Sequence, residues 1–157
     1  MNKGALISED SKYRYKLWRI WDNKKPIVLY IMLNPSIADD NIDDPTIKTL
    51  IRISQNNGFG GFYVGNLSPY RATNPTELNS LTIDELIPVE NYSHIEEMIK
   101  NTSLHILAHG DHRILKLLKT PFTDRFSSVI WYRLKQSKQG NPRHPLYLKS
   151  DVKLEKH

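Results

Sequence analysis

The sequence predicts an α/β protein: a three-layer α/β/α sandwich with a largely parallel central sheet and an N-terminal antiparallel hairpin. Two observations carry that expectation. Short apolar runs recur at 27–33, 62–67, 104–108 and 127–134, and stretches with helical spacing of apolar residues lie between them at 45–57, 84–100 and from 114 onward. Continuous apolar runs belong to strands buried on both faces, and alternation of strand with helix builds a sheet covered by helices.

Taken in order, residues 13–21 (Tyr13-Arg14-Tyr15-Lys16-Leu17-Trp18-Arg19-Ile20-Trp21) alternate apolar and basic, the period of a half-buried strand. A turn at Asp22–Pro26 suggests that this strand pairs antiparallel with 27–33, leaving Arg14, Lys16 and Arg19 on an exposed face. Such a face meets nucleic acid or simply protects an edge strand. The run at 27–33 breaks at Asn34-Pro35, because proline cannot donate to a ladder and restricts the residue before it. Ser36 is placed to cap a following helix, although Asn34-Pro35-Ser36 also reads as an ordinary turn.

Four carboxylates follow: Asp39, Asp40, Asp43 and Asp44. Asp44 is the expected N-cap of a helix opening at Pro45 and running to about Asn57, with Ile47, Leu50 and Ile51 inward. Acidic residues suit a helix start without any ion, and no His or Glu stands nearby, so no metal is expected. Asn57-Gly58-Phe59-Gly60-Gly61 stops the helix, and its glycines fit neither the dinucleotide nor the phosphate-loop spacing. The second core run ends at Asn66. The loop after it carries Tyr70 and Arg71. The third run is followed by His109-Gly110-Asp111-His112, and the fourth by a basic loop, 135–143, closed by His144-Pro145-Leu146-Tyr147-Leu148. Charge dominates the end of the chain, which is expected to fray from about residue 150.

Length and composition bound the rest. One domain is expected from 157 residues, with 39% hydrophobic and 25% charged residues. No apolar run approaches the roughly 20 residues of a membrane span, and no signal-peptide core follows Met1. With no cysteine, disulfides and thiolate chemistry are excluded, and a cytoplasmic location is the expectation. A net charge of +5 and a pI near 9.3 favour anionic partners, or serve solubility. Oligomeric state is not legible.

Asn34, Asn66, His109 and His144 each fall at or just past the end of an apolar run, and in a parallel sheet three of these ends lie on one edge and can converge on one ligand. A carboxamide offers donors and an acceptor, which suits the edge of a heterocycle. An imidazole stabilises negative charge on a departing group. No activated serine is present. Neither His109-x-x-His112 nor His105-x-x-x-His109 has a third ligand at credible spacing, and no cofactor is expected.

With Asn34, Asp43-Asp44-Pro45-Thr46, Asn66-Leu67, Arg71-Ala72-Thr73 and His144-Pro145-Leu146-Tyr147-Leu148 in this order, the chain resembles a bacterial and phage group, the domain of unknown function 1643. That likeness runs from Tyr13 to Asp151 and carries no activity. Strand–Asn-Pro, strand–Asn-Leu, Leu-Ala-x-Gly-x-His and His-Pro-Leu are similar, more distantly, to motifs of the uracil-DNA glycosylase superfamily. This second likeness implies a glycosylase-like fold in which Asn34 holds the attacking water, Asn66 reads a base and His144 supports the leaving group. Four departures are plain: Met32 in place of a glycine, no aromatic soon after Pro35, His109 in place of a tryptophan, and Leu146-Tyr147 where small residues stand. Uracil specificity is not implied.

Two functions follow as expectations. One is a hydrolase of an N-glycosidic bond in a nucleotide or nucleic acid, with Asn34 and His144 catalytic and Ser36, Asn66, Tyr70, Arg71, His109 and Arg143 binding substrate. The other is a non-catalytic binder of a nucleotide or nucleotide-derived signal, with Arg71 and Arg143 on phosphates. A weaker third is a DNA-binding protein using the basic loop.

Overall fold

The apolar run from Ile27 has no polar face to offer water, and the structure places it at the centre of a sheet. In the computed structural model, which describes residues 1–157, the strands are β1 (Asn2–Ile7), β2 (Arg14–Ile20), β3 (Ile27–Met32), β4 (Gly61–Asn66), β5 (Leu104–Leu107), β6 (Tyr132–Arg133) and β7 (Glu155–Lys156). Helices are α1 (Pro45–Asn56), α2 (Ile83–Leu86), α3 (Glu90–Lys100) and α4 (Leu115–Arg125). The sheet order is β1-β2-β4-β3-β5-β6-β7. The four inner strands β4, β3, β5 and β6 run parallel, and β1, β2 and β7 join antiparallel.

Alternation along β3 explains the layers. Val28, Tyr30 and Met32 pack into one core with Ile47, Leu50 and Ile53 of α1, whereas Leu29 and Ile31 pack into a second with Ile95, Met98, Leu118 and Phe122 of α3 and α4. The chain leaves β3 through α1 to reach β4 on one side. It then returns through α2 and α3 to β5 on the other side. The carboxyl end of β3 is therefore the topological switch point, where an open α/β sheet leaves a crevice. No helix is long and apolar enough to cross a membrane.

Several expectations are corrected. The N-terminal hairpin joins β1 to β2, not β2 to β3, and β2 pairs its other edge with β4. Polar Asn2-Lys3-Gly4 hides β1 in the sequence. Its pairing with β2 leaves Trp18 lying over Gly4, so close that an added Cβ would overlap the indole. Arg14 and Arg19 are buried, not exposed. The Arg19 guanidinium pairs with Asp43 at 2.7 Å and donates to the carbonyls of Gly4, Trp18, Asp39 and Ile42. Asp39 accepts the amides of Asn41 and Ile42, and Asp44 accepts that of Ile47 as the N-cap of α1. The acidic stretch is thus a loop organised around a buried cation, and it contains no metal-holding group of His, Asp and Glu.

Ser36 caps no helix, because residues 34–44 form a loop and α1 starts at Pro45. The helical stretch 84–100 breaks at Ile87-Pro88 into α2 and α3, as the constraint on the residue before proline requires. Of the run 127–134 only Tyr132–Arg133 pairs as strand; Val129 and Trp131 still pack against the second core. The tail does not fray over its whole length. Residues 155–156 pair with β6, where Arg133 bonds Glu155 at 2.8 Å.

Removing the Arg19 guanidinium leaves Asp43 with Lys3 alone, at 3.3 Å, and takes a buried donor from four carbonyls. Arg19→Met is expected to cost about 3–5 kcal/mol, a drop of roughly 6–20 °C in Tm by calorimetry. Arg19→Lys should restore less than half of it, since one ammonium cannot span the same acceptors.

Candidate functional site

The backbone keeps β3 and its neighbours together past the last regular ladder bond. Leu67 and Ser68 donate to the carbonyls of Met32 and Leu33, Ala72 to that of Pro35, and Ala108 to that of Ile31. Three chain exits therefore leave the sheet side by side. Around them lies a cleft of about 560 Å³, lined by Asn34, Ser36, Asn66, His109 and His144 among others.

Asn34 is fixed by its own amide. Its Nδ2 donates to the carbonyls of Pro35 at 2.9 Å and Ala72 at 3.0 Å, with Tyr70 at the 3.5 Å limit. Those bonds leave Oδ1 without a protein partner, an acceptor for the cleft. Asn66, at the end of β4 and in register with Met32, is 1% exposed, and neither its Nδ2 nor its Oδ1 has a hydrogen-bond partner. An unpaired buried polar atom costs roughly 1–3 kcal/mol, so a carboxamide with both ends idle is poised for something that is not protein.

The two imidazoles are set in opposite senses. His109, 3% exposed, lies with Nδ1 2.9 Å from the Gly110 carbonyl. A carbonyl only accepts, so Nδ1 carries the proton and Nε2, buried without a partner, is a bare acceptor. Burial drives its pKa down to about 4, against a smaller upward pull from the Gly110 bond. His144 does the reverse: its Nδ1 accepts the amide of Leu146 at 3.1 Å, so Nε2 carries the proton. Burial lowers its pKa as well, and Asp44 opposes the shift. Gly110 brings the two together, with its amide bonded to the Pro142 carbonyl at 2.9 Å and a φ of 71°.

Three of the expected residues lie outside the lining. Tyr70 packs edge-on against Tyr13 at 5.7 Å. Arg71 donates to the Ser36 and Ser11 carbonyls, so it holds the 34–38 loop in place. Arg143 lines a neighbouring groove with Ser137, Lys138 and Gln139, which shares Gly110, Asp111, His144 and Leu146 with the cleft. Asp111 anchors that loop by accepting from Ser137 and Asn141.

Arg14 and Asp44 were not foreseen as part of the cleft. The guanidinium of Arg14 is 3% exposed, donates to the Ala38 carbonyl at 3.1 Å and leaves Nε unpaired. Burial pulls its pKa down to about 10 against the opposing field of Asp44. The alternation of 13–21 gave no hint of this, because β2 is covered on both faces. His112, whose Nδ1 accepts the Ile114 amide, also lines the cleft.

A family model described as "Protein of unknown function (DUF1643)" matches residues 14–146. That span begins at Arg14 and ends at Leu146, both in the cleft wall, so it contains the whole lining. No curated protein and no solved structure matches the chain.

Two outcomes are expected here. An alanine Cβ at Gly110 would stand 3.0 Å from the His144 Cβ in a backbone conformation side chains avoid. Gly110→Ala should therefore shift the His144 ring resonances while those of His105 stay put. Since the His109 pKa lies below its ordinary value, the unfolded chain binds the extra proton first as pH falls. Stability should decline between about 6.5 and about 4, with His109→Phe lacking about 3 kcal/mol of that decline in urea melts.

Proposed function

The chain belongs to the DUF1643 family of proteins of unknown function, and we propose that its cleft recognises a nucleobase and serves hydrolysis of an N-glycosidic bond in a nucleotide or nucleic acid. The observation that carries the reading is the idle carboxamide of Asn66, sharing one cleft with the fixed acceptor of Asn34 and the N–H of His144. A base edge presents donor and acceptor side by side, as a carboxamide does.

In this reading the oxygen of a water, held through its hydrogen at Asn34 Oδ1, bonds to the anomeric carbon. The carbon–nitrogen bond breaks and its electron pair leaves with the base. His144 Nε2–H donates to the negative charge that develops there, and the water's remaining proton passes to the released base or to solvent. Cleavage of this kind places most of the charge on sugar and base, so an orienting amide suffices and a strong base at the water is not required. We read the parallel core and its cleft as a glycosylase-like scaffold on the same grounds.

We read nucleic acid as the larger substrate on the placing of cations around the cleft. The cleft opens at Asp111 and His112 into a groove with Arg113, Lys116 and Lys119, and at Gly110 and His144 into the one with Lys138 and Arg143. Cations on both sides of the mouth follow a phosphate backbone. The expected setting is cytoplasmic.

A second reading, a binder that holds a nucleotide or nucleotide-derived signal without cutting it, is favoured by one observation. The side chain fixed at the end of β3 in the cleft is a carboxamide, Asn34, which orients a water but does not take its proton.

The experiment is a screen for free base released from modified DNA, nucleosides and dinucleotides. Release is expected, falling about 100-fold in Asn34→Ala, the scale of losing an oriented reactant, while affinity for the substrate stays within about threefold. No release from any of them, together with affinity lost in Asn34→Ala, would replace hydrolysis with binding.

A further inference from the structure

Two arginines of β2 are buried, and the fold treats them oppositely. Arg19 has Asp43 and four carbonyls around its guanidinium. Arg14, 3% exposed, forms no ion pair. Its protein hydrogen bond runs from Nη1 to the Ala38 carbonyl, and Nε is buried without a partner. A buried charge without a counterion is costly, and the backbone goes out of its way to hold this one. In a regular strand alternate residues share a side, so Leu17, which packs in the core beneath α1, would share it with Tyr15 and not with Arg14. The register slips there: Leu6 pairs with Lys16 and Ile7 with Arg14, so Tyr15 is an extra residue, a bulge. Tyr15 bonds Glu90 and Lys16 bonds Glu97, both on α3, while Arg14 turns to the opposite layer and lines the cleft.

The surroundings suit an anion. With Nη1 committed, Nε–H and the Nη2–H that points the same way form a fork matching two oxygens of an oxyanion. The start of α1 lines the same cleft. Asp44 takes the Ile47 amide, but the Thr46 amide, in the first turn, has no carbonyl behind it, and a helix of 12 residues sets its positive end there. Asp44 is also the carboxylate whose field reaches Arg14, and with burial pulling the other way the pKa stands at about 10, so the guanidinium is charged at neutral pH. We propose that Arg14 is the phosphate subsite of this cleft, its Nε–Nη2 edge taking two oxygens of the phosphoryl group of the bound nucleotide. The subsite rests on the nucleobase reading above for what that phosphate is attached to. It brings the phosphate of the recognised nucleotide inside the cleft, whether the nucleotide is free or part of a strand.

The test is calorimetric titration of the full chain with adenosine, guanosine, cytidine and uridine, their 5′-monophosphates and a trinucleotide of each base, beside nitrogen spectra of Arg14 Nε. The best phosphorylated ligand is expected to bind roughly 10- to 150-fold tighter than its nucleoside, the range for hydrogen bonds to a charged group. It should shift the Arg14 Nε resonance, which the nucleoside leaves in place. Arg14→Gln should cancel the advantage and keep nucleoside affinity within about twofold; Arg14→Lys, a point charge without the fork, should not restore it in full. Whichever of monophosphate and trinucleotide moves the resonance identifies the source of the phosphate. Equal affinity for nucleosides and their phosphorylated forms overturns the subsite and leaves the nucleobase reading standing. An advantage that persists in Arg14→Gln, or that comes without a shift at Arg14, overturns it too and puts the phosphate in the outer grooves. Inorganic phosphate needs no base: if it alone shifts Arg14 Nε and no nucleoside or nucleotide binds, the anion subsite stands and the nucleobase reading falls. If nothing shifts Arg14 and the screen above releases no base, both fall together.

Discussion

Burial of β3 on both faces and both edges is the constraint from which the rest follows. A strand with Val28, Leu29, Tyr30 and Ile31 fully out of water can stop only where its backbone groups find other partners. Asn34-Pro35 supplies the stop. The Asn34 amide turns back to the carbonyls of its own loop and of the loop after β4. That one side chain closes the top of the sheet and, by spending its nitrogen there, decides that oxygen is what the cleft receives. Parallel neighbours on both sides of β3 then deliver their own ends to the same place.

The distribution of unpaired polar atoms separates a site from a mere crevice. Six buried side-chain atoms lack partners, and four belong to Arg14, Asn66 and His109 in the cleft wall; the others are Asn91 Oδ1 and Tyr92 OH on α3. Elsewhere the fold satisfies harder cases. Arg19 is wholly buried and fully bonded, and the Tyr30 hydroxyl, at the centre of a core, still finds Ser54 at 2.9 Å. A chain able to pair those groups has no packing reason to leave a carboxamide idle at a strand end. Four of the six gather at one concavity, which is where unpaired groups in a fold serve a ligand when it has one.

How much of this was legible in the sequence follows from which forces are local. The inner strands and the start of α1 were readable because uninterrupted apolar runs and an Asp-Pro start are decided within a few residues. The shared position of Asn34, Asn66 and His109 was readable for the same reason, as punctuation at run ends in a parallel sheet, whereas His144 arrives on the loop after β6. Strand pairing was not. Whether β2 lies beside β3 or β4 depends on the crossover through α1, and nothing in 13–21 records it. The buried arginines were read outward because alternation distinguishes two faces without saying that both are covered. Arg71 shows the same limit: its charge suggested a phosphate, and nothing local told that its guanidinium also donates to the carbonyls of Ser36 and Ser11. The two-residue β7 is a tertiary accident of an edge, beyond any local pattern, and of the expected run 127–134 only the two residues of β6 pair.

The pair of histidines shows how the backbone, not the residue type, sets chemical polarity. Both rings are neutral and both line one cleft, but His109 shows it a lone pair and His144 a proton. The difference lies in what faces each Nδ1: a carbonyl of the next residue in one case, an amide two residues ahead in the other. Each choice is locked by a segment that Gly110 alone allows to meet, since any side chain there would push the His144 loop away.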